Sequence, residues 1–187
     1  MPIDIEFPFL DMIDSGDIPL VDRRQLHYLT RGVHQAAERL KASIRQMVEV
    51  SVYWCGARPV VVLHTPVNRP DLTKLEKWFG FDVRPASPTE ISALCGTHIY
   101  GSPPAGQSYQ MPVFIDDNLT HQQFVWAAAG DPAVWVALTP DNLVRVTGGY
   151  VVDIKRPNYV QMLEQRVPKR NAKTDVESGD SPTTESP

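Results

Sequence analysis

The sequence predicts an α+β (mixed α/β) domain with a single mixed central sheet and short flanking helices. Three observations predict it. Apolar and polar residues alternate over several short stretches, as half-buried strands require. Short helical patterns with their own start and stop residues lie between those stretches. Proline makes up 17 of the 187 residues, about twice the usual ~5%, which disfavours long helices.

Residues 1–22 hold six acids and no base, yet also Phe7, Phe9, Leu10, Met12 and Ile13. They read as an apolar arm docked on the domain, with a partner-binding segment as the alternative. Acids stand where a secretory signal would carry lysine or arginine, and no apolar run reaches the ~18 residues of a membrane helix. The expectation is a cytoplasmic protein with no membrane contact. In residues 23–47, Leu26, Leu29, Val33, Ala37, Leu40 and Ile44 recur at helical spacing and predict one amphipathic helix. Arg24, Arg31 and Arg45 fall off that stripe and read as its solvated face, with phosphate contact as the alternative.

The period then changes to two. Val48, Val50 and Val52 alternate with Glu49 and Ser51, and a Cys55-Gly56-Ala57-Arg58 turn leads into the apolar run at 60–63, so a hairpin is predicted. Leu72, Leu75 and Phe79 give a short helix stopped by Gly80. Ser87-Pro88-Thr89-Glu90 is a capping box with proline at the first helical position, and Gly96 closes that helix. Thr139-Pro140-Asp141-Asn142 opens another that ends at Gly148. Strands are expected at 112–116, 124–128, 134–138 and 150–154. The domain with its C-terminal extension is placed at 23–167. A tail at 168–187 is expected to be disordered, because eight of its last 14 residues are Ser, Thr or Pro and ordering them would gain little burial.

A net charge of −4 argues against wrapping nucleic acid by bulk charge but leaves local basic patches open. Cys55 and Cys95 form no CxxC pair, and the five histidines make neither HExxH nor a close His/Cys cluster, so no metal site is expected. Neither GxSxG, nor a P-loop, nor GxGxxG is present, so neither a nucleophile elbow nor a nucleotide cofactor is indicated. Residues 96–107 stand out: Gly96, Gly101 and Gly106 flank a Pro103-Pro104 pair between a helix and a strand. Glycines allow close backbone approach, prolines stiffen the loop, and its amides can face a carbonyl or phosphate. A plain connecting turn is the other reading.

Residues 96–154 resemble the YbaK family of aminoacyl-tRNA deacylases, which shares its fold with the editing domain of bacterial prolyl-tRNA synthetases. The resemblance is carried by Gly101-Ser102-Pro103-Pro104-Ala105-Gly106, by Pro112-Val113-Phe114-Ile115-Asp116 with Leu119, and by Val125-Trp126-Ala127-Ala128-Ala129-Gly130. It continues through Leu138-Thr139-Pro140 with Leu143, Val146-Thr147-Gly148 and Val151-Val152-Asp153-Ile154. A weaker match extends back to about Thr30. It implies hydrolysis of the ester of tRNA mischarged with a small amino acid, without cofactor or metal. The implied partner is the aminoacyl-tRNA 3′ end, and the oligomeric state stays open. Gly101, Ser102, Pro103, Pro104 and Gly106 take the catalytic loop positions, where backbone amides would polarise the ester carbonyl. Glu49, Tyr100, Asp116 and Gly130 take substrate-side positions, and Asp116 reads as organising its turn rather than as a base.

Two residues depart from the family pattern. Glu49 stands where a lysine helps hold the tRNA end. Tyr100 replaces the first glycine of a Gly-Gly pair, where a side chain resists positive φ and fills space for the substrate carbonyl. Either the substrate differs, or the fold persists as a binding or regulatory module without activity.

Overall fold

The computed structural model describes residues 8–16 and 18–156. Two sheets carry the fold. Strands β2 (Glu49–Cys55) and β3 (Arg58–His64) form the expected hairpin around Gly56, whose φ is 58°. β2 also pairs antiparallel with β4 (Val83–Pro85). On the other side, β3 pairs parallel with β5 (Val113–Asp116), and β5 with β8 (Tyr150–Val152). The order of this five-stranded sheet is β4-β2-β3-β5-β8. The second sheet is antiparallel: β1 (Asp22–Gln25), β7 (Val134–Leu138) and β6 (Val125–Ala128) in the order β1-β7-β6.

The α+β class stands, but the strands divide between two sheets instead of lying in one. β6 and β7 close on each other through a tight turn in which Val134 N–H donates to Asp131 C=O at 3.0 Å. The free edge of β7 then takes β1, while β5 takes β8 through a crossover. A backbone bond joins the sheets: Val48 N–H donates to Trp126 C=O at 2.8 Å, beside a Met47–Trp126 bridge. Between them lies a core of Val48, Val52, Val61, Leu63, Ile115, Val125, Val136 and Leu138.

The helices are short, as the prolines and glycines require. α3 (Leu72–Phe79) ends at Gly80, α4 (Pro88–Cys95) at Gly96 and α6 (Pro140–Thr147) at Gly148, all with φ between 59° and 69°. Ser87 and Glu90 cap α4 reciprocally. At the N-terminus, α1 (Pro8–Ser15) buries Phe9, Leu10 and Ile13 in the core.

The helix expected over 23–47 is not formed as one element. Asp22–Gln25 pairs with β7, and α2 covers only Val33–Leu40. Gly32, at φ 110°, stops helix propagation on one side, and Lys41, at φ 54°, ends it on the other. A reciprocal Ser43/Gln46 cap then starts a separate 3-10 turn at Ile44–Gln46. The helical spacing of Leu26 and Leu29 is coincidental, and Leu29 is 65% exposed. The tail expected at 168–187 lies outside the described residues.

Candidate functional site

The N-terminal half of β2 has β3 on one side and no strand on the other, because β4 pairs only with Tyr53–Cys55. A cavity of about 430 Å³ fills that gap, within the usual size range of small-molecule sites. β2 lines it from Val48 to Tyr53, with Pro85, Ala86 and Ile91 beyond. The opposite wall brings Arg31, Gly32, Val33 and His34 from the start of α2, and Ala128 and Trp135 from the second sheet. Ile99, Tyr100 and Ser102 of the glycine-proline loop complete it.

The loop is held by its own backbone. Gly101 N–H donates to His98 C=O at 2.8 Å, and Gly101 C=O accepts from Gly130 N–H at 3.0 Å. A Cβ at Gly101 would lie 2.7 Å from the Pro132 ring and 2.8 Å from Asp131 C, so only glycine fits there. Pro132 C=O in turn accepts from Thr30 Oγ1 at 2.6 Å and Trp135 Nε1 at 3.1 Å. Among the described residues, Ser102 N–H has no acceptor, and Ser102 lines the cavity. The Gly101 amide is already bonded, and proline has none to offer. Of the loop residues that line the cavity, Ile99 and Ser102 are the two whose backbone N–H makes no bond among the described residues.

Not all of the expected site residues share this cavity. Glu49, Tyr100 and Ser102 line it. Pro103 and Gly130 line a second cavity of about 260 Å³, with Pro8 and Phe9 of α1. Pro104 lines neither. Gly106, at φ 74°, lies beneath α1: a Cβ there would be 2.9 Å from Phe9 N. Gly101 also lines neither cavity, so the loop positions Gly101, Ser102, Pro103, Pro104 and Gly106 do not share one cavity. Asp116 is fully buried and caps α5 (Asp117–Thr120), accepting from Asn118 N–H and from the side-chain amides of Asn118 and Asn68. That is the turn-organising arrangement, with no face toward either cavity.

Tyr100 carries no strain, since Lys41 is the one non-glycine residue with positive φ among those described. Its ring stacks at a tilt on His98, 5.2 Å between centroids, and stays 40% exposed at the rim.

Glu49 projects at the cavity with its side chain 42% exposed. Lys74 and Arg58 do not replace the absent strand lysine. Lys74 pairs with Asp153 at 2.9 Å, and Arg58 sits at the hairpin turn. Arg31 does reach the cavity, beside His34; in the sequence Arg31 reads as part of a helix's solvated face, with phosphate contact as the alternative.

Beside Glu49 lies a pair that the sequence motifs did not reveal. Ser51 Oγ is 2.9 Å from His64 Nε2, and His64 Nδ1 is 3.0 Å from Thr65 C=O. A carbonyl can only accept, so Nδ1 carries the hydrogen and Nε2 accepts from the serine. The two-residue turn after Cys55 fixes the hairpin register and sets His64 opposite Glu49. The juxtaposition was therefore countable from the sequence, had His64 been given a role. Tyr53, next along the same face, has its phenol pushed up by burial, against a smaller pull from Ser51.

An aminoacyl-tRNA editing domain family matches residues 27–146. The uncharacterised protein YwhH of Bacillus subtilis strain 168 is 30% identical over 112 residues, 59% of this chain and 71% of the relative. A crystal structure described as a proposed trans-editing enzyme for prolyl-tRNA synthetase superposes with a TM-score of 0.73 at 28% identity, covering 83% of this chain and 99% of that one. A scaffold used for computational grafting of linear epitopes gives the same TM-score at 27% identity, covering 83% of this chain and all of the other.

Proposed function

The chain belongs to the aminoacyl-tRNA editing domain family, and from that premise we propose that it acts in trans as a deacylase. Its substrate is tRNA mischarged with a small amino acid, and the bond broken is the aminoacyl ester. The carrying observation is the cavity beside β2, whose lining brings together Ser102 of the loop, Arg31, His34 and Ser51. Arg31 supplies the positive charge for the anionic tRNA end. In this reading Ser102 N–H donates to the ester carbonyl oxygen as charge develops on it, a contribution of about 3–4 kcal/mol in comparable sites. Tyr100, Trp135 and Ile91 bound the space and exclude large side chains sterically.

The description of a similar solved structure as a proposed trans-editing enzyme supports this reading by analogy. One observation favours a second reading, a binding module that keeps the fold without turnover: Glu49 puts a carboxylate on the wall of the cavity. A panel of tRNAs, each charged with one labelled amino acid, separates them. Deacylation restricted to small amino acids supports the enzyme. Binding of charged tRNA with no ester loss across the panel supports the module.

A further inference from the structure

We infer that Ser51 is a nucleophile, activated by His64, that takes the acyl group from the substrate. This rests on the deacylase reading for its substrate class, an aminoacyl ester, but not for its chemistry.

The geometry has three parts. Ser51 lies on the cavity wall, whereas His64 stands behind it and is only 4% exposed. Substrate therefore meets the hydroxyl first, with the ring nitrogen directly behind it. The 2.9 Å contact from Ser51 Oγ to His64 Nε2 is within the reach of a nucleophile–base pair. Thr65 C=O, 3.0 Å from Nδ1, holds the ring in the tautomer whose Nε2 lone pair faces the serine. Glu49 Oε2 lies 4.0 Å from the same Nδ1, beyond hydrogen-bond reach. From there its charge offsets the positive charge the ring gains on taking a proton. The carboxylate that opposes phosphate binding thus has a second role, as a positioning and charge-balancing group.

The step balances as follows. Ser51 Oγ attacks the ester carbonyl carbon while its proton passes to His64 Nε2. The bond from that carbon to the ribose oxygen breaks, and the oxygen leaves with the proton from Nε2. Water then attacks the seryl ester, giving its proton to Nε2. The amino acid departs, and the proton returns to Ser51 Oγ.

A fluorophosphonate probe, which reacts with activated serines and needs no tRNA, tests the inference on the full chain. The expected result is one adduct, mapped to Ser51 by peptide mass, absent from Ser51→Ala and formed at least tenfold more slowly in His64→Gln. Ser51→Ala, a small change on a part-buried strand, is also expected to lose roughly a hundredfold in deacylation. Should His64→Gln fail to fold, the wild-type adduct still decides. An absent adduct, or Ser51→Ala deacylating like wild type, overturns the nucleophile while leaving the deacylase reading intact. An adduct at Ser51 in a protein that deacylates no member of the panel supports the nucleophile and overturns the deacylase reading.

Discussion

Glu49→Gln is expected to move binding and turnover in opposite directions. The substitution removes one negative charge from the cavity wall and keeps the shape. A unit charge about 4 Å from a phosphate is worth about 1 kcal/mol in water and about 4 kcal/mol at an effective dielectric of 20. Glu49 is 42% exposed, so the lower part of that interval applies, about 1–2 kcal/mol. That is a five- to thirtyfold fall in Kd for the tRNA 3′ end. The same carboxylate is 4.0 Å from His64 Nδ1, where it balances the charge that forms during attack. Its loss should lower kcat by a similar factor. The assay is fluorescence anisotropy of a labelled acceptor-stem RNA, alongside single-turnover deacylation, at two salt concentrations. Both effects should shrink with salt, the binding effect more because the tRNA end is solvated. Unchanged Kd with unchanged kcat would refute the reasoning. So would a weaker complex, which would mean that Glu49 accepts hydrogen bonds from the substrate.

The remaining expectations are independent. Tyr100→Ala should open the rim, since the ring is 40% exposed and bounds the cavity. Bulkier aminoacyl esters should then be hydrolysed, with less than about 1 kcal/mol of stability lost, as read by a urea midpoint. Gly101→Ala should cost several kcal/mol, because the new methyl meets backbone at 2.7 Å, and a melting temperature within a few degrees of wild type would contradict it. Arg84 holds the Glu90 carboxyl down to about 2, with help from Ser87. This support is present above the usual value of 4.5 and is lost as pH falls through about 2. Glu90→Gln keeps the cap but not the charge, so the gap in melting temperature between the two proteins should close over that window. Burial pushes the Cys55 thiol up to about 11, so an aromatic disulfide reagent at pH 8 should react with it only after denaturant is added.

The sequence by itself determined the local elements wherever residue chemistry alone decides them. The hairpin turn at Gly56, the Ser87/Glu90 cap, the stops at Gly80, Gly96 and Gly148, and the Asp116 turn all depend on neighbours within a few positions. The run of motifs from Gly101 to Ile154 carried the family resemblance. Pairing between distant segments was different. Period-two alternation says that a strand is half buried, not which strand lies beside it. The division into two sheets therefore emerged only from the fold, as did the use of Asp22–Gln25 as an edge strand. The site followed the same divide. Glu49, Tyr100 and Ser102 were legible from motif position. Arg31 stood out only as one of three arginines on the face of a helical pattern that Gly32 interrupts, and no motif marks Ser51 with His64. Their meeting is a diagonal contact across two strands, set by register and burial, and a hydrogen bond between distant side chains exists only once tertiary packing has brought them within 3 Å.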